Sequence, residues 1–218
     1  MSNPTSEPLV FPVGHYMGAF YPGAGQALRY RKVRIGVDVA QIVGDERFGV
    51  WALAHGLPDR LDKGPWTRSA LLAAATEAEL PDAETHLDAL LEQKVLTQVA
   101  PGTPESIEFA KTHRLQPLMM GLGNSPQDPL SFGLGFVGAP PVVRVPSFLY
   151  ELWQWGRIGR SLWHTVEMFA KVEREVAQKG AGVPDPQAVL DRILSQLHVL
   201  LAHNAAYLDQ TLPAPSAG

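Results

Sequence analysis

Three glycines with the spacing of a dinucleotide-binding fingerprint occur at Gly133, Gly135 and Gly138. In a true site of this kind the third glycine opens a helix, and the amides at that helix N-terminus hold the pyrophosphate. Here Pro140 and Pro141 follow the third glycine, and an apolar strand-like segment comes next. These surroundings do not fit a nucleotide site, so we predict a turn-rich β segment and no cofactor.

The other residue types that carry chemistry also lack the spacing of a known site. His198 and His203 are five positions apart and point roughly 140° away from each other on a helix, so they do not form a helical metal pair. The chain has no cysteine, which excludes thiolate zinc sites, disulfides and a cysteine nucleophile. The sequence contains neither a Gly-x-Ser-x-Gly elbow nor a Gly-Lys-Ser/Thr phosphate loop. We predict no catalytic residue and no metal site, and an enzyme with a dispersed active site is kept as the third interpretation.

Before residue 100, the hydrophobic pattern predicts a strand, three helices and a second strand. Between Arg29 and Val39, apolar residues alternate with charged ones, which is typical of a half-buried strand. Helical spacing then predicts helices that begin near Asp45, near Thr67 and after Pro81, with Asp45 as the cap of the first. A strand is predicted at 95–99.

The remainder of the chain is predicted to contain a β region followed by helices. Glycines among apolar residues predict bulged strands between Leu115 and Phe136. Ser147 is predicted to cap a helix, and Asp185 is predicted to cap the last one, which should run over 187–210. The apolar stripe of this last helix is the strongest helical periodicity in the chain.

The order strand, helix, helix, helix, strand across residues 33–99 resembles the winged-helix superfamily. The resemblance covers about a third of the chain and depends on element order, without a diagnostic motif. This superfamily includes transcriptional regulators and protein-binding modules. Among the latter are the precursor-peptide recognition domains of ribosomal peptide pathways, in which a partner strand adds beside the third helix. The resemblance therefore implies a unit that binds either DNA or a peptide.

We accordingly expect an α+β protein that consists of a winged-helix-like unit, flanking β segments and a C-terminal helical part. The expected segments are an N-terminal β segment (1–44), the winged-helix-like unit (45–100), a glycine-rich β region (101–146), a helical region (147–212) and a disordered tail (213–218).

The third helix has the wrong charge for DNA. In a helix-turn-helix the corresponding helix enters the major groove, where basic side chains neutralise phosphates. The window 66–94 holds two basic residues against six acidic ones. With the leucines of the third helix turned inward, its outer face presents Asp82, Thr85, Asp88 and Glu92. These carboxylates would repel a phosphate backbone, so nucleic acid is the less favoured partner.

A basic run at Arg29, Arg31, Lys32 and Arg34 could contact phosphates, which keeps a DNA-binding transcriptional regulator as the alternative. A solvated strand face that balances the acids of the third helix is the favoured interpretation. An acidic helix beside a basic strand can also frame a groove for a mixed-charge peptide, which would bind by strand addition. We therefore predict a non-catalytic regulatory or adaptor protein that binds a protein or peptide partner. The predicted partner-binding residues are Arg31, Lys32, Arg34, Thr85, Asp88 and Glu92.

The apolar stripe of the last helix must be covered, either by the helices at 148–176 or by a second copy of the chain. A homodimer through residues 187–210 is therefore expected. The N-terminus lacks the pattern of a signal peptide, and no apolar run approaches the roughly 20 residues that span a bilayer. With a net charge of −4 over 218 residues, the chain is expected to be cytoplasmic and to bind no membrane.

Overall fold

The computed structural model describes residues 7–176 and 185–211, which form seven α-helices and ten strands. The helices are α1 (Asp45–Leu53), α2 (Arg68–Glu77), α3 (Ala83–Glu92), α4 (Pro104–Thr112), α5 (Ser147–Trp155), α6 (Leu162–Val176) and α7 (Pro186–Ala202). The strands are β1 (Leu9–Pro12), β2 (His15–Phe20), β3 (Tyr30–Ile35), β4 (Asp38–Ile42), β5 (Leu96–Val99), β6 (His113–Pro117), β7 (Met120–Ser125), β8 (Asp128–Gly135), β9 (Val143–Pro146) and β10 (Ala206–Gln210). The predicted α+β class is confirmed, whereas the predicted tail at 213–218 lies outside the described residues.

The strands form small antiparallel sheets, in the orders β1-β5, β2-β3-β4, β7-β8-β9 and β6-β10. An isolated two-stranded sheet is marginally stable at best in water, so small sheets like these are stabilised by packing against helices. The glycine-rich region behaves as predicted, because β7 and β8 pair with register shifts at Gly121, Gly123 and Ser125. Gly133 and Gly135 lie inside β8 and Gly138 lies in the turn that follows, which confirms the predicted turn-rich β segment.

The single strand predicted over 29–39 is instead a hairpin of β3 and β4, with a two-residue turn at Gly36 and Val37. Gly36 has a φ of 57°. A glycine with positive φ at the first turn position suits the tight turns that join twisted strands. Because the chain reverses here, Val39 does not extend the apolar face of Val33: Val39 is 55% exposed and Val33 is fully buried. The prediction of a single strand is wrong because apolar and polar residues keep alternating in the sequence across the turn, so the pattern does not show where the chain reverses.

The first apolar core lies between the β2-β3-β4 sheet and helices α1, α2 and α3. The fully buried side chains that build it include Val33, Ile42, Val50, Leu71, Leu87 and Leu90. Helix α1 follows Gly44, whose φ is 93°, and Asp45 makes no capping hydrogen bond. The predicted Asp45 cap is therefore wrong, because the Asp45 carboxylate instead pairs with Arg31 at 2.8 Å.

The second apolar core lies among α4, α5, α6, α7 and the strands β6, β8, β9 and β10. Helix α7 contributes a stripe of buried side chains that includes Leu190, Ile193, Leu194, Leu197 and Leu201. The chain itself covers this stripe, so a homodimer through 187–210 is not needed to bury it and stays a prediction. Asp185 caps α7 as predicted, since its carboxylate accepts from the Gln187 amide at 3.0 Å.

The last helix ends at Ala202, so the prediction of a helix through Gln210 is wrong. Asn204 adopts a left-handed conformation with a φ of 52°, which ends the helix, and residues 206–210 pair with β6. Ser147 is likewise not a cap, because Pro146 occupies that position and makes no capping hydrogen bond. No helix in the described ranges has both the length and the apolar character needed to cross a membrane.

Candidate functional site

Two of the predicted basic residues, Arg31 and Lys32, lie next to each other in β3 and use aromatic partners within the chain. The Arg31 guanidinium lies 4.3 Å from the centre of the Phe48 ring, and it also pairs with Asp45 in α1. The Lys32 ammonium lies 5.0 Å from the centre of the Phe20 ring. Arg31 thus links the sheet to α1. Lys32 has no carboxylate partner in the described part of the chain.

The third basic residue, Arg34, belongs to a buried charged cluster that the sequence does not reveal. Its centre is the Asp209 carboxylate, which is fully buried and accepts from the Gly36 amide at 2.6 Å. The guanidinium nitrogens of Arg114 and Arg34 lie 3.3 and 3.5 Å from the same carboxylate. Arg34 also donates to the Tyr207 hydroxyl at 2.7 Å. This Asp209 cluster ties the turn of the β3-β4 hairpin to β10 and β6.

The predicted acidic residues of α3 lie on its outer face, as expected. Thr85, Asp88 and Glu92 are all exposed. Arg68 at the start of α2 pairs with Asp88 at 2.8 Å and with Glu84 at 3.0 Å, so part of the acidic charge is neutralised. No ion pair joins α3 to β3 within the residues that the structure describes. The structure therefore gives the acidic and the basic residues separate partners.

The outer face of the β2-β3-β4 sheet brings together Lys32, Arg34 and two residues that the sequence did not single out. In the β3-β4 ladder Arg34 lies opposite Val39, and Lys32 lies opposite Gln41. Side chains at directly opposite positions share one face of an antiparallel pair. Val39 and Gln41 are exposed, so this face presents the Lys32 ammonium beside a weakly charged strand, whereas the Arg34 guanidinium is held in the Asp209 cluster.

The outer edge of β4, residues 37–43 and called here the β4 edge, has no neighbouring strand in the described ranges. Ile35 and Asp38 flank the two-residue turn and form its hydrogen-bonded pair, so the pairs alternate from there along the ladder. The main-chain amides of Val39 and Gln41 consequently face away from β3. The side chains of Val37, Val39 and Val43 are 77%, 55% and 57% exposed. The β4 edge thus combines unpaired amides with exposed apolar side chains.

The opposite edge of the same sheet, β2, differs because it is bulged. The β2-β3 register shifts between Tyr16 and Gly18, and Gly18 has a φ of 99°. Bulges twist an edge away from further pairing, and they are one of the devices that protect sheet edges. The β4 edge has no bulge and its strand contains no proline, lysine or arginine.

A cavity of about 420 Å³ lies where β2, α1 and β10 meet. Its residues include two histidines and five other aromatic or amide side chains, and none of the described lining residues is Asp, Glu, Lys or Arg. The lining side chains with polar or aromatic groups are His15, Tyr16, Phe48, Trp51, His55, Asn204 and Tyr207. We call it the β2-α1-β10 cavity. The sequence does not predict this cavity, because its lining residues come from segments as far apart in the chain as Gly14 and Tyr207.

Burial keeps both histidines of this cavity neutral. It lowers the pKa of His55, although hydrogen bonds from its ring to the Ala52 and Trp51 carbonyls oppose the shift. Burial also lowers the pKa of His15, and the nearby positive charge of Arg34 acts in the same direction. At neutral pH the cavity therefore offers imidazoles that can each donate and accept one hydrogen bond.

Two further cavities have less defined chemistry. One of about 560 Å³ lies among α5, α6 and α7 and is mainly apolar. On its wall the Arg192 guanidinium lies 3.6 Å from the centre of the Phe148 ring and pairs with Glu173. The other, about 240 Å³, lies beside β5 and includes Lys94 and His113.

Within the described ranges, no three His, Asp or Glu side chains are grouped so that they could hold a metal ion. Comparison with protein-family models, with curated proteins and with solved structures finds no match to this chain. The function must therefore be inferred from the geometry of the β4 edge and of the cavities.

Proposed function

We propose that this chain is a non-catalytic adaptor or regulatory protein that binds an extended peptide segment of a partner protein. The peptide adds as a strand to the β4 edge. The observation that carries this proposal is the combination of the outward amides of Val39 and Gln41 with the exposed valines around them. An unprotected apolar strand edge is a template for strand pairing, and peptide-binding domains use such edges for main-chain recognition.

The proposal includes a winged-helix-like unit as the scaffold of the site. Its support is the order of β3-β4, α1, α2, α3 and β5, together with one apolar core that includes residues from the sheet and from all three helices. The segment before α2 is extended, since Thr67 forms an isolated bridge with Leu9 of β1, and β1 pairs with β5. The resemblance depends on the order strand, helix, helix, helix, strand, and these elements follow that order.

The residues around the β4 edge define what the peptide should carry. Its main chain would hydrogen-bond to Val39 and Gln41, and its apolar side chains would cover Val37, Val39 and Val43. Lys32 lies on the same face one strand further in, but its ammonium lies against the Phe20 ring of β2, on the side away from the β4 edge. We therefore propose an extended segment that is rich in apolar residues.

The DNA-binding alternative has less support, because two of the three cations of β3 are held by carboxylates of the chain. Arg31 pairs with Asp45, and Arg34 lies in the Asp209 cluster. Phosphates would have to compete with these carboxylates, and the outer face of α3 would repel the duplex. A mobility shift on random duplex DNA at low salt tests this alternative directly. Salt-sensitive binding that is lost in Arg31→Glu would favour DNA over the peptide.

The peptide proposal is tested by panning a displayed random peptide library on the immobilised full chain and titrating the enriched peptides by calorimetry. Val39→Lys should weaken their binding at least tenfold, about 1.4 kcal/mol, because a charged side chain opposes strand addition at an edge. Leu130→Lys places the same charge on an exposed apolar position of β8 and should change nothing. Failure to enrich any peptide, or equal affinity for Val39→Lys, would reject the proposed function.

A further inference from the structure

We propose that the cavity of about 560 Å³ among α5, α6 and α7 is a binding site for a small amphiphilic cation, an apolar chain or ring that carries one ammonium group. We call it the α5-α6-α7 cavity. Its volume falls in the range of small-molecule sites. The cavity shares no lining residue with the β4 edge, so its occupancy can be tested independently of the proposed peptide binding.

The first argument is that two walls of the cavity are apolar helix faces left partly open to solvent. Phe148 and Trp155 of α5 are seven positions apart, and Met168 and Val172 of α6 are four apart. These spacings place side chains on one face of a helix. Val172 is 57% exposed and Trp155 is 39% exposed. Large apolar side chains that are grouped and exposed mark binding sites on a protein surface.

The second argument is the charge of the lining, which consists of two carboxylates and one guanidinium, those of Glu151, Glu173 and Arg192. Arg192 pairs with Glu173 and lies 3.6 Å from the centre of the Phe148 ring, so its partners belong to the wall itself. Glu151 pairs with no cationic side chain among residues 7–176 and 185–211. The lining therefore has one carboxylate in excess, which attracts a cation and repels an anion.

The third argument is an indole ring beside this carboxylate. The Trp155 Nε1–H donates to the Glu151 carboxylate at 2.6 Å, and both residues line the cavity. Both side chains are exposed, so a ligand can reach them. The face of an indole attracts cations more strongly than the other aromatic side chains do. One ammonium group can therefore contact Glu151 and Trp155 together, while the apolar part of the ligand covers Met168 and Val172.

Octylammonium is the probe, and octan-1-ol and octanoate are its neutral and anionic counterparts of equal chain length. Each compound is titrated into the full chain at neutral pH and physiological ionic strength, below the concentration at which it forms aggregates. Binding is followed by the indole N–H resonance of Trp155, which is assigned by its loss in Trp155→Phe. We expect saturable binding of octylammonium. Octan-1-ol should bind about fivefold to tenfold more weakly, as expected for loss of one exposed ion pair and one cation–π contact, and octanoate more weakly still.

Two matched variants separate the charge of Glu151 from a general charge effect. Glu151→Gln keeps an acceptor for the Trp155 indole but removes the carboxylate, so the preference for octylammonium over octan-1-ol should fall about threefold. The affinity for octan-1-ol should not change. Glu167→Gln makes the same substitution at an exposed position of α6 that does not line the cavity, and it should leave all three affinities unchanged.

Three results would overturn the inference. One is the absence of saturable octylammonium binding. Another is equal or tighter binding of octan-1-ol or octanoate to the unaltered chain, which would show an apolar groove without a preference for cations. The third is an equal fall in the preference for octylammonium in Glu151→Gln and Glu167→Gln.

Discussion

The β3-β4 hairpin has two contrasting parts. Its turn is fixed by the buried Asp209 cluster, in which a carboxylate, two arginines and the Gly36 amide meet. Its outer edge pairs with no strand of the described ranges, and it is exposed and almost without charge. The difference shows how a strand can be held firmly from one side while its other side stays available. A preorganised edge of this kind binds a peptide with less loss of conformational entropy.

The largest effect is expected from breaking the anchored part. Asp209→Ala leaves Arg34 and Arg114 without their carboxylate in a buried place, and loss of one partner of a buried pair typically costs about 3 to 5 kcal/mol. Urea denaturation followed by tryptophan fluorescence measures the change in free energy of unfolding. The matched substitution Asp88→Ala on the exposed face of α3 should cost less than about 1 kcal/mol. Equal losses for both would show that the cluster is not an anchor.

Buried histidines should make the folded state sensitive to acid. Burial lowers the pKa of His198 from its ordinary value of 6.5 to about 4. Below pH 6.5 the unfolded chain binds a proton that folded His198 does not, so the free energy of unfolding falls as the pH drops towards 4. This loss amounts to roughly 3 kcal/mol for such a shift. His15, His55 and His113 act in the same direction, since burial lowers the pKa of each.

Urea midpoints measured from pH 7.5 down to pH 4.5 (roughly the span over which an ordinary histidine titrates) test this prediction. His198→Gln keeps a donor for the Val10 carbonyl, which His198 contacts at 2.8 Å, and should flatten the pH dependence. The exposed His164→Gln should leave the dependence unchanged. If the free energy of unfolding of His198→Gln depends on pH as it does in the unaltered chain, then His198 is not the cause of the sensitivity to acid.

Substitutions at the β4 edge should have a smaller effect on stability than Asp209→Ala and a large effect on peptide binding. Val39→Pro removes an outward amide that β3 does not use, so the hairpin should lose less than about 1 kcal/mol of stability while peptide binding falls at least tenfold. Ala40→Pro is the matched control, because the Ala40 amide faces β3 and its loss should destabilise the fold. Similar losses of stability in the two variants would contradict the assigned direction of these amides.

The smallest change is expected on the acidic face of α3. Arg68→Ala frees Glu84 and Asp88 from their ion pairs, which lie at the surface, and should cost less than about 1 kcal/mol. Peptide affinity should not change, since this helix face is not part of the proposed β4 site. A tenfold loss of peptide affinity in Arg68→Ala would contradict this assignment and would indicate that the acidic face of α3 contacts the peptide.

Local patterns in the sequence were enough to predict the three helices before residue 100, and the Asp185 cap of α7. They were not enough where the outcome depends on a distant partner. Leu208 continues the helical stripe of α7, yet it belongs to β10, because residues 206–210 pair with β6 about 90 positions earlier. Asn204 was a local signal for the end of this helix that the prediction missed, because asparagine adopts left-handed backbone more often than most other residues except glycine.

The same limit applies to the candidate site. Alternation placed Arg31, Lys32 and Arg34 in a strand, but it could not show that Arg34 meets Asp209 from the other end of the chain. At this site the local signal that was missed is Gly36, which marks a turn inside an otherwise regular strand pattern. Recognising that turn would have revealed β4 and its free edge.

Strand addition at β4 is tested most directly by amide hydrogen exchange, measured by NMR on the full chain with and without a saturating enriched peptide. The account predicts that the Val39 and Gln41 amides exchange rapidly in the free chain and at least about tenfold more slowly in the complex. The Ala40 and Ile42 amides, which face β3, should be protected in both states. New protection elsewhere, with Val39 and Gln41 unchanged, would contradict peptide binding at the β4 edge.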